Sequence, residues 1–536
     1  MYELGLRIAR EIGDRQDESS ILGSLGNVYR ELGQYDQAIN FFEQDLAITR
    51  ESGDQLAEGT TLHNLGATLF AINDLAQAEN ILFSAVDIWE SLRALELSEG
   101  QRISLVETQL NTFKDLQRVL AAQNKLDVAL EVAERERARI FLEELIARLN
   151  PDSVGQLQEV IPPDIQRIKE IANQKSSTLV MYSITQSKEI FIWVIQPTGN
   201  IEFRKVNLQE QLINLSDIVE IARNSIGVSR LVEWGERQEP APIDSAQINQ
   251  KLQRLHQILI DPIKEFLPDD PDQSVIFIPQ DELFLVPFAA LQDSEGSYLI
   301  DQHTILIAPS IQVLDSTQKQ QAKVQQANLQ ENLVIGDPTM PPLSLVPGEP
   351  SISLDELPGA EQEAIDIATL LNTDPLLGDA ATKSTIVQQM PNARIIHLAT
   401  HGILDEFQGL NGGVVLSADG TGEFNDGLLT AAEIAQMELN AELVVLSACN
   451  TGQGRITGDG VVGLSRSLIL AGVPSVVVSL WAVPDQPTGE LMVEFYRQLE
   501  QTNNKAKALR QAMLIIREKY PEPIAWAGFT LIGEAE

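Results

Sequence analysis

The start of this chain repeats itself at an interval of 40 residues. Gly13-Asp14 returns as Gly53-Asp54, Leu25-Gly26 as Leu65-Gly66, Gln37-Ala38 as Gln77-Ala78 and Ile48 as Ile88. Between the matched points apolar residues fall at helical spacing, so each period reads as a helix pair, for instance 17–32 with 35–51. Such a pair buries its apolar face only by stacking on the next, which commits this end of the chain to a helical array. A divergent third unit follows at about 98–149 and ends in the Arg-rich helix Arg135 to Arg148. In this register Tyr2–Arg10 aligns with Phe42–Arg50, so the chain opens on the second helix of a pair. Leu4, Leu6 and Ile8 are then expected to lack their usual cover.

After Asn150-Pro151 the period disappears and β-rich runs begin. Thr178–Ile184 and Glu189–Ile195 predict a hairpin, with Glu202–Val206 extending it. A helical region over 208–265 leads to a strand at Ser274–Ile278, and the Gln-rich stretch Thr317–Asn332 predicts a solvated helix or linker. Beyond it come a strand at Asn332–Ile335, a Pro-rich loop to Pro358, a helix at Ala360–Leu371, a strand at Pro375–Leu377, a helix at Lys383–Met390 and a strand at Arg394–Thr400. This alternation implies an open, mainly parallel α/β sheet, which binds ligands outside the carboxyl ends of its strands. The expected divisions are 1–149, 150–330 and 331–536.

Two apolar runs end in residues capable of chemistry. Leu443–Ala448 leads into Cys449, the only cysteine, and Arg394–Thr400 leads into His401. A right-handed crossover between them would make the strands parallel neighbours ~4.8 Å apart, with both side chains at one sheet end. A lone Cys is commonly a small buried hydrophobe and a lone His a structural residue. Their shared strand-end context, bordered by small residues, favours a cysteine–histidine pair.

The formal charge of −39, with no basic patch, argues against nucleic-acid binding. One cysteine excludes an intrachain disulfide and a Cys-rich zinc site, and no cofactor is expected. The amino terminus lacks a charged-then-apolar secretory pattern, and apolar stretches such as Val473–Val483 fall short of the ~20 residues of a membrane span. A cytoplasmic protein that does not engage membranes is the expectation.

His-Leu-Ala-Thr-His-Gly (397–402) and Leu-Ser-Ala-Cys-Asn-Thr-Gly (446–452) resemble the two catalytic blocks of CHAT domains, caspase-like peptidase domains commonly fused to tetratricopeptide repeats. Ile276–Pro279, Leu285–Leu291, Asp426–Thr430 and Gly458–Gly472 are similar to other family segments, so the resemblance covers about 150–535. The 40-residue units resemble tetratricopeptide repeats, somewhat longer than the usual ~34 residues. The implied fold is a tetratricopeptide-like helical array followed by an α/β caspase-like domain, with a non-catalytic half before a catalytic one.

The resemblance implies a cysteine endopeptidase working through an acyl-enzyme, with Cys449 as nucleophile and His401 promoting thiolate formation or protonating the leaving amine. Backbone N–H groups of Gly402 and Cys449 are the implied oxyanion hole. No side chain stands out as a third member to orient His401. Ser479–Asp485 resembles the strand and loop of the primary specificity pocket, and its Trp-x-Val-x-Asp spacing is similar to separases, whose pocket acid selects arginine. Asp485 is therefore implied to pair with a substrate guanidinium; it also suits the N-cap of a helix over Gln486–Gln498. The substrate would be a protein or peptide, with a protein partner recruited by the repeats. The alternative is a non-proteolytic interaction scaffold.

Other motifs carry less. Gly458–Gly463 fits G-x-G-x-x-G, but it lies nine residues past Cys449 instead of directly after a strand, so packing of a helix over Val461–Leu470 explains its glycines better. Asp426-Gly427 and Asp459-Gly460 are turn signals. His63, His256 and His303 read as structural. His397 and His401, four apart on a strand, would lie ~13 Å from one another, too far to share a metal.

Overall fold

The computed structural model describes residues 1–92, 99–137, 141–142, 145–146, 148, 162–186, 188–209, 214–226, 245–344, 351, 353–403, 409–421, 425–448, 451–452, 455–457 and 460–536. The chain forms two compact units, residues 1–136 with 184–189, and residues 137–183 with 190–536.

In the first unit, α1 (Tyr2–Ile12) precedes three helix pairs: α2 (Arg15–Glu31) with α3 (Tyr35–Ser52), α4 (Gln55–Ala71) with α5 (Leu75–Leu92), and α6 (Glu99–Ala122) with α7 (Leu126–Glu136). The repeated Gly-Asp steps have a local cause. Gly13 and Gly53 close a helix at φ 75° and 70°, and Asp14 and Asp54 cap the next by accepting from Asp17 N and Ala57 N. The repeated Leu-Gly steps are close approaches: a Cβ on Gly26 would lie 2.5 Å from the Phe42 ring, and one on Gly66 2.6 Å from Leu82. On α1 the expectation is half right. Leu4 and Ile8 are exposed, but Leu6 is buried with Leu22, Leu25 and Ile48. Helix α7 ends at Glu136, and half of the Arg-rich stretch beyond it, 138–140, 143–144 and 147, lies outside the described residues.

The second unit is built on one eleven-stranded sheet in the order β3-β2-β1-β4-β5-β16-β15-β12-β8-β6-β7. After α8 (Ile165–Lys175) come β1 (Thr178–Ile184), β2 (Glu189–Ile195) and β3 (Ile201–Asn207). Helices α9 (Leu215–Ser225) and α10 (Ser245–Leu259) lead to β4 (Ser274–Ile278) and β5 (Thr304–Ile307). Helix α11 (Ile311–Ala327) then crosses to β6 (Glu331–Pro338), α12 (Pro358–Leu371), β7 (Leu376–Gly378), α13 (Lys383–Gln389) and β8 (Ala393–Ala399). β9 (Gly402–Ile403), β10 (Gly413–Val415), β11 (Leu428–Thr430) and α14 (Ala431–Ala435) precede β12 (Leu443–Ser447). The chain continues through β13 (Arg455–Thr457), β14 (Gly460–Val462), α15 (Leu464–Leu470), β15 (Ser475–Ser479), α16 (Asp485–Thr502), α17 (Lys505–Lys519) and β16 (Phe529–Gly533). Pairing is parallel from β1 through β4 and β5 to β16, and again from β15 through β12, β8 and β6 to β7; between β15 and β16 it is antiparallel. Strands β12, β15 and β16 are buried along their whole length, which is why they read as unbroken apolar runs.

The Gln-rich stretch is solvated on one side: Lys319, Lys323, Gln325 and Gln326 of α11 are exposed, whereas Ile311, Leu314, Thr317, Gln320 and Val324 fall on one buried face, and Gln320 Nε2 donates to Ile469 O at 2.7 Å. Between β8 and β12, short β-branched and leucine runs form the three-stranded antiparallel sheet β11-β10-β9. The helix expected from Val461 starts at Leu464, since Gly460-Val461-Val462 pairs with Arg455-Ile456-Thr457 as a hairpin.

Candidate active site

β8 and β12 are parallel neighbours, with Ala399 opposite Ser447 and Thr400 N donating to Ser447 O at 3.3 Å. His401 lies two residues past the end of β8, and Cys449 two residues past the end of β12. Cys449 itself falls outside the described residues, as does Asn450; Ala448 and Thr451 flank them.

The turn after β12 is pinned by a reciprocal pair of hydroxyls. Thr451 N donates to Ser479 Oγ at 3.1 Å, and Ser479 N donates to Thr451 Oγ1 at 3.0 Å. Ser479 Oγ also donates to Ala448 O, and Gly452 N to Ser479 O at 2.7 Å. Thr451 and Ser479 are buried, so these bonds fix both ends of the peptide that carries Cys449 against the end of β15. The sequence hinted at this only as two small hydroxyl residues near neighbouring strand ends.

His401 is half-buried, and its Nε2 lies 2.8 Å from Asp355 O. A carbonyl only accepts, so in the neutral ring Nε2 holds the proton and Nδ1 presents its lone pair. The orienting group missing from the sequence reading is thus a backbone carbonyl, which leaves no side-chain signature. Val415 N donates to His401 O at 2.9 Å, making Gly402 and Val414 a non-hydrogen-bonded pair. The Gly402 N–H therefore points away from β10.

Asp485 is the first residue of α16, after Pro484 at the N-cap position, and it is exposed. Its Oδ2 accepts from Gly359 N at 2.8 Å, so it is neither the N-cap nor the buried, unpaired carboxylate of a closed pocket. The cause is α12, which starts beside it at Pro358 and offers an orphan N–H. Just before Asp485, Leu480 O accepts from the buried Arg223 of α9 at 3.0 Å, and burial pulls that guanidinium down to about 10.

Beneath β8, His397 is fully buried, with Nε2 2.9 Å from Glu363 Oε1 and Nδ1 3.2 Å from Tyr496 Oη. Burial, reinforced by Glu363, pushes the Tyr496 hydroxyl well above its usual value. Among the described residues no cluster of His, Cys, Asp or Glu is arranged to hold a metal, and no helix is long and apolar enough to cross a membrane. An apolar cavity of about 50 Å³ adjoins Gly452, lined also by Val286, Phe288, Leu480, Met513 and Phe529. That is room for a water or a methyl group, too little for a substrate side chain.

Residues 17–91 match tetratricopeptide repeats. The chain is 26% identical to human tetratricopeptide repeat protein 28 over 87% of its length, and 25% identical to the mouse protein over the same share. It spans about a quarter (24%) of the length of these curated relatives. Among solved structures it is similar to the Saccharomyces cerevisiae separase–securin complex (TM-score 0.46, 11% identity, 98% of this chain and 48% of that one). It is also similar to the Arg-specific cysteine proteinase gingipain R (TM-score 0.35, 14% identity, 61% and 75%). The CHAT domain matches residues 249–534, more than half of the chain and all of β4 through β16, and with its strand-end histidine and cysteine blocks this chain belongs to the CHAT domain family.

Proposed function

We propose that this protein is a cysteine endopeptidase in which Cys449 attacks the scissile carbonyl and His401 manages the proton. The reading rests on one observation above all: β8 and β12 are adjacent and parallel, and each is followed at the same distance by one member of the pair. With Nε2–H directed to Asp355 O, Nδ1 of His401 is the nitrogen that takes the thiol proton. The thiolate forms the acyl-enzyme and the imidazolium returns the proton to the departing amine. Water then attacks the thioester, with the same nitrogen as base. The Gly402 N–H, turned away from β10, and the Cys449 N–H are the proposed donors to the oxyanion.

Asp485 is the proposed recognition group for a basic side chain before the scissile bond. Its carboxylate is exposed with Oδ2 accepting from Gly359 N, and the exposed acids Asp355 and Glu356 add to the same negative field that would attract a guanidinium. The repeats are proposed to recruit a protein partner, and the chain to act in the cytoplasm, where its thiol stays reduced.

The test is covalent capture. A peptidyl-arginine chloromethyl ketone should label Cys449 and nothing else, and His401→Ala should slow labelling at least tenfold. A folded protein that neither labels nor cleaves with any partner supplied would favour a second reading, an interaction scaffold, for which the match to tetratricopeptide repeats speaks.

A further inference from the structure

We propose that Asp337 and Asp485 are positioning residues for His401, acting through the segment 355–359 that their carboxylates hold. This rests on the reading of His401 as the proton-handling group, and it adds how that group is kept in place.

The argument starts from what His401 leans on. Its Nε2–H donates to the carbonyl of Asp355, a residue on an exposed stretch ahead of α12 and outside regular secondary structure. A carbonyl on such a stretch sets the ring only if the stretch is itself held. Two side chains from distant parts of the chain hold it. Asp337, at the end of β6, accepts from Leu357 N at 2.8 Å, and Asp485, opening α16, accepts from Gly359 N at 2.8 Å. Pro358 between them has no N–H, so the two carboxylates take both donors that 357–359 can offer. These are charge-assisted bonds at the positive end of α12, the stronger kind for a surface site. Leu354 adds an apolar foot, packing on the cluster of Leu343, Ile403, Val415 and Leu428.

Asp337 adopts φ 38°, a conformation unfavourable for a residue with a side chain. Its side chain bonding to Leu357 N offers a reason for that geometry. Asp485 then has two proposed duties, holding the strap and recognising a basic side chain. Recognition and histidine orientation are coupled through a single carboxylate.

Alkylation of Cys449 by iodoacetamide separates the two duties, because it needs the imidazole but no peptide. The rate is measured against pH for the full chain and for His401→Ala, Asp337→Ala, Asp485→Ala, Asp337→Asn and Asp485→Asn. An unassisted thiol with a pKa of about 8.5 is only a few per cent ionised at neutral pH, so His401→Ala should be slowed roughly tenfold at pH 7. The two Ala variants should fall most of the way to that level. The two Asn variants, which keep an oxygen acceptor for the N–H, should stay within about twofold of wild type even where Asp485→Asn loses cleavage after arginine. Nitrogen-15 spectra of the His401 ring, assigned against His401→Ala, give a second readout: the Nε2–H tautomer should dominate in wild type and mix with Nδ1–H in the Ala variants. Should wild type show a His401-dependent profile that both folded Ala variants share, with unchanged ring spectra, the positioning role is wrong and the dyad stands. Should wild type show no dependence on His401, the dyad fails and the positioning role falls with it.

Discussion

Removing His397 should cost far more than its two hydrogen bonds suggest, because of what it leaves behind. The ring is fully buried and the Glu363 side chain is only 2% exposed, so truncation strands a carboxylate in the core with no solvent to take over. Breaking one side of such a pair costs about 3–5 kcal/mol, whereas Glu363→Gln keeps an acceptor for Nε2–H and should cost about 1 kcal/mol. The double replacement His397→Leu with Glu363→Met removes both polar partners, leaving mainly the Tyr496 hydroxyl unmatched, and should recover more than half of the single-variant loss. Urea unfolding of the full chain, followed by the emission of the buried Trp193, Trp481 and Trp526, reads the effect as a midpoint shift on the order of 1 M for His397→Ala. Costs that simply add in the double variant, to within about 0.5 kcal/mol, would refute the reasoning, since uncoupled sites add and partners do not.

Three further outcomes follow from other parts of the molecule. His303 is buried and lies in the field of Arg510, which together hold its pKa at about 4 against 6.5; the unfolded chain takes that proton first, so about 3 kcal/mol of stability should drain away as pH falls from 6.5 to 4. His303→Gln should flatten that slope in melting curves, and an unchanged slope would dismiss it. Burial holds the Asp45 carboxyl above the usual aspartate range despite bonds from Ser19 and Thr61, so its contribution favours the folded repeats at acid pH and is lost as pH rises. Asp45→Asn should raise the melting temperature of the helical transition at pH 7 and leave it nearly unchanged near pH 4; a lower value at pH 7 would count against the argument. Gly452→Ala would put a Cβ 2.9 Å from Ser479 O and 2.8 Å from Val478, so the turn must shift, at about 1–3 kcal/mol. Labelling of Cys449 should drop at least tenfold, and retention of the wild-type rate would show that this turn does not set the thiol.

The parts of this fold that were legible in the sequence are those where local chemistry and tertiary demand agree. Gly13-Asp14 and Gly53-Asp54 mark helix junctions because one residue ends a helix and the next caps another. Thr178–Ile184 and Ser274–Ile278 emerged at their expected bounds because fully buried strands tolerate little besides apolar and β-branched residues. That β8 and β12 could be parallel neighbours was legible from the two apolar runs and the right-handed crossover rule, and the two strands do pair. What stayed hidden was tertiary. Nothing local tells that Gln320 would be buried within 311–327, that Val461-Val462 would choose a strand over a helix turn, or that a main-chain oxygen at Asp355 would meet an imidazole 46 residues away. Asp485 shows the same limit: its residue type suited a pocket, but the Gly359 N–H that occupies it belongs to another helix.

The strand of this sheet that comes latest in the sequence is the one in the middle. β16 sits between β5 and β15 and, among the described residues, is the strand that joins the two parallel blocks of the sheet. A nascent chain that has not yet reached Phe529 would therefore display two short, buried-type, unpaired edges, β5 on one block and β15 on the other. Translation proceeds at about 5–20 residues per second, so β15 waits a few seconds for its partner, the interval in which such edges find other chains. Loss of β16 is thus a solubility hazard out of proportion to its five residues. The same order of events ties the neighbourhood of Ser479, and with it the turn pinned through Thr451, to the arrival of β16, whose Phe529 pairs with Ser479.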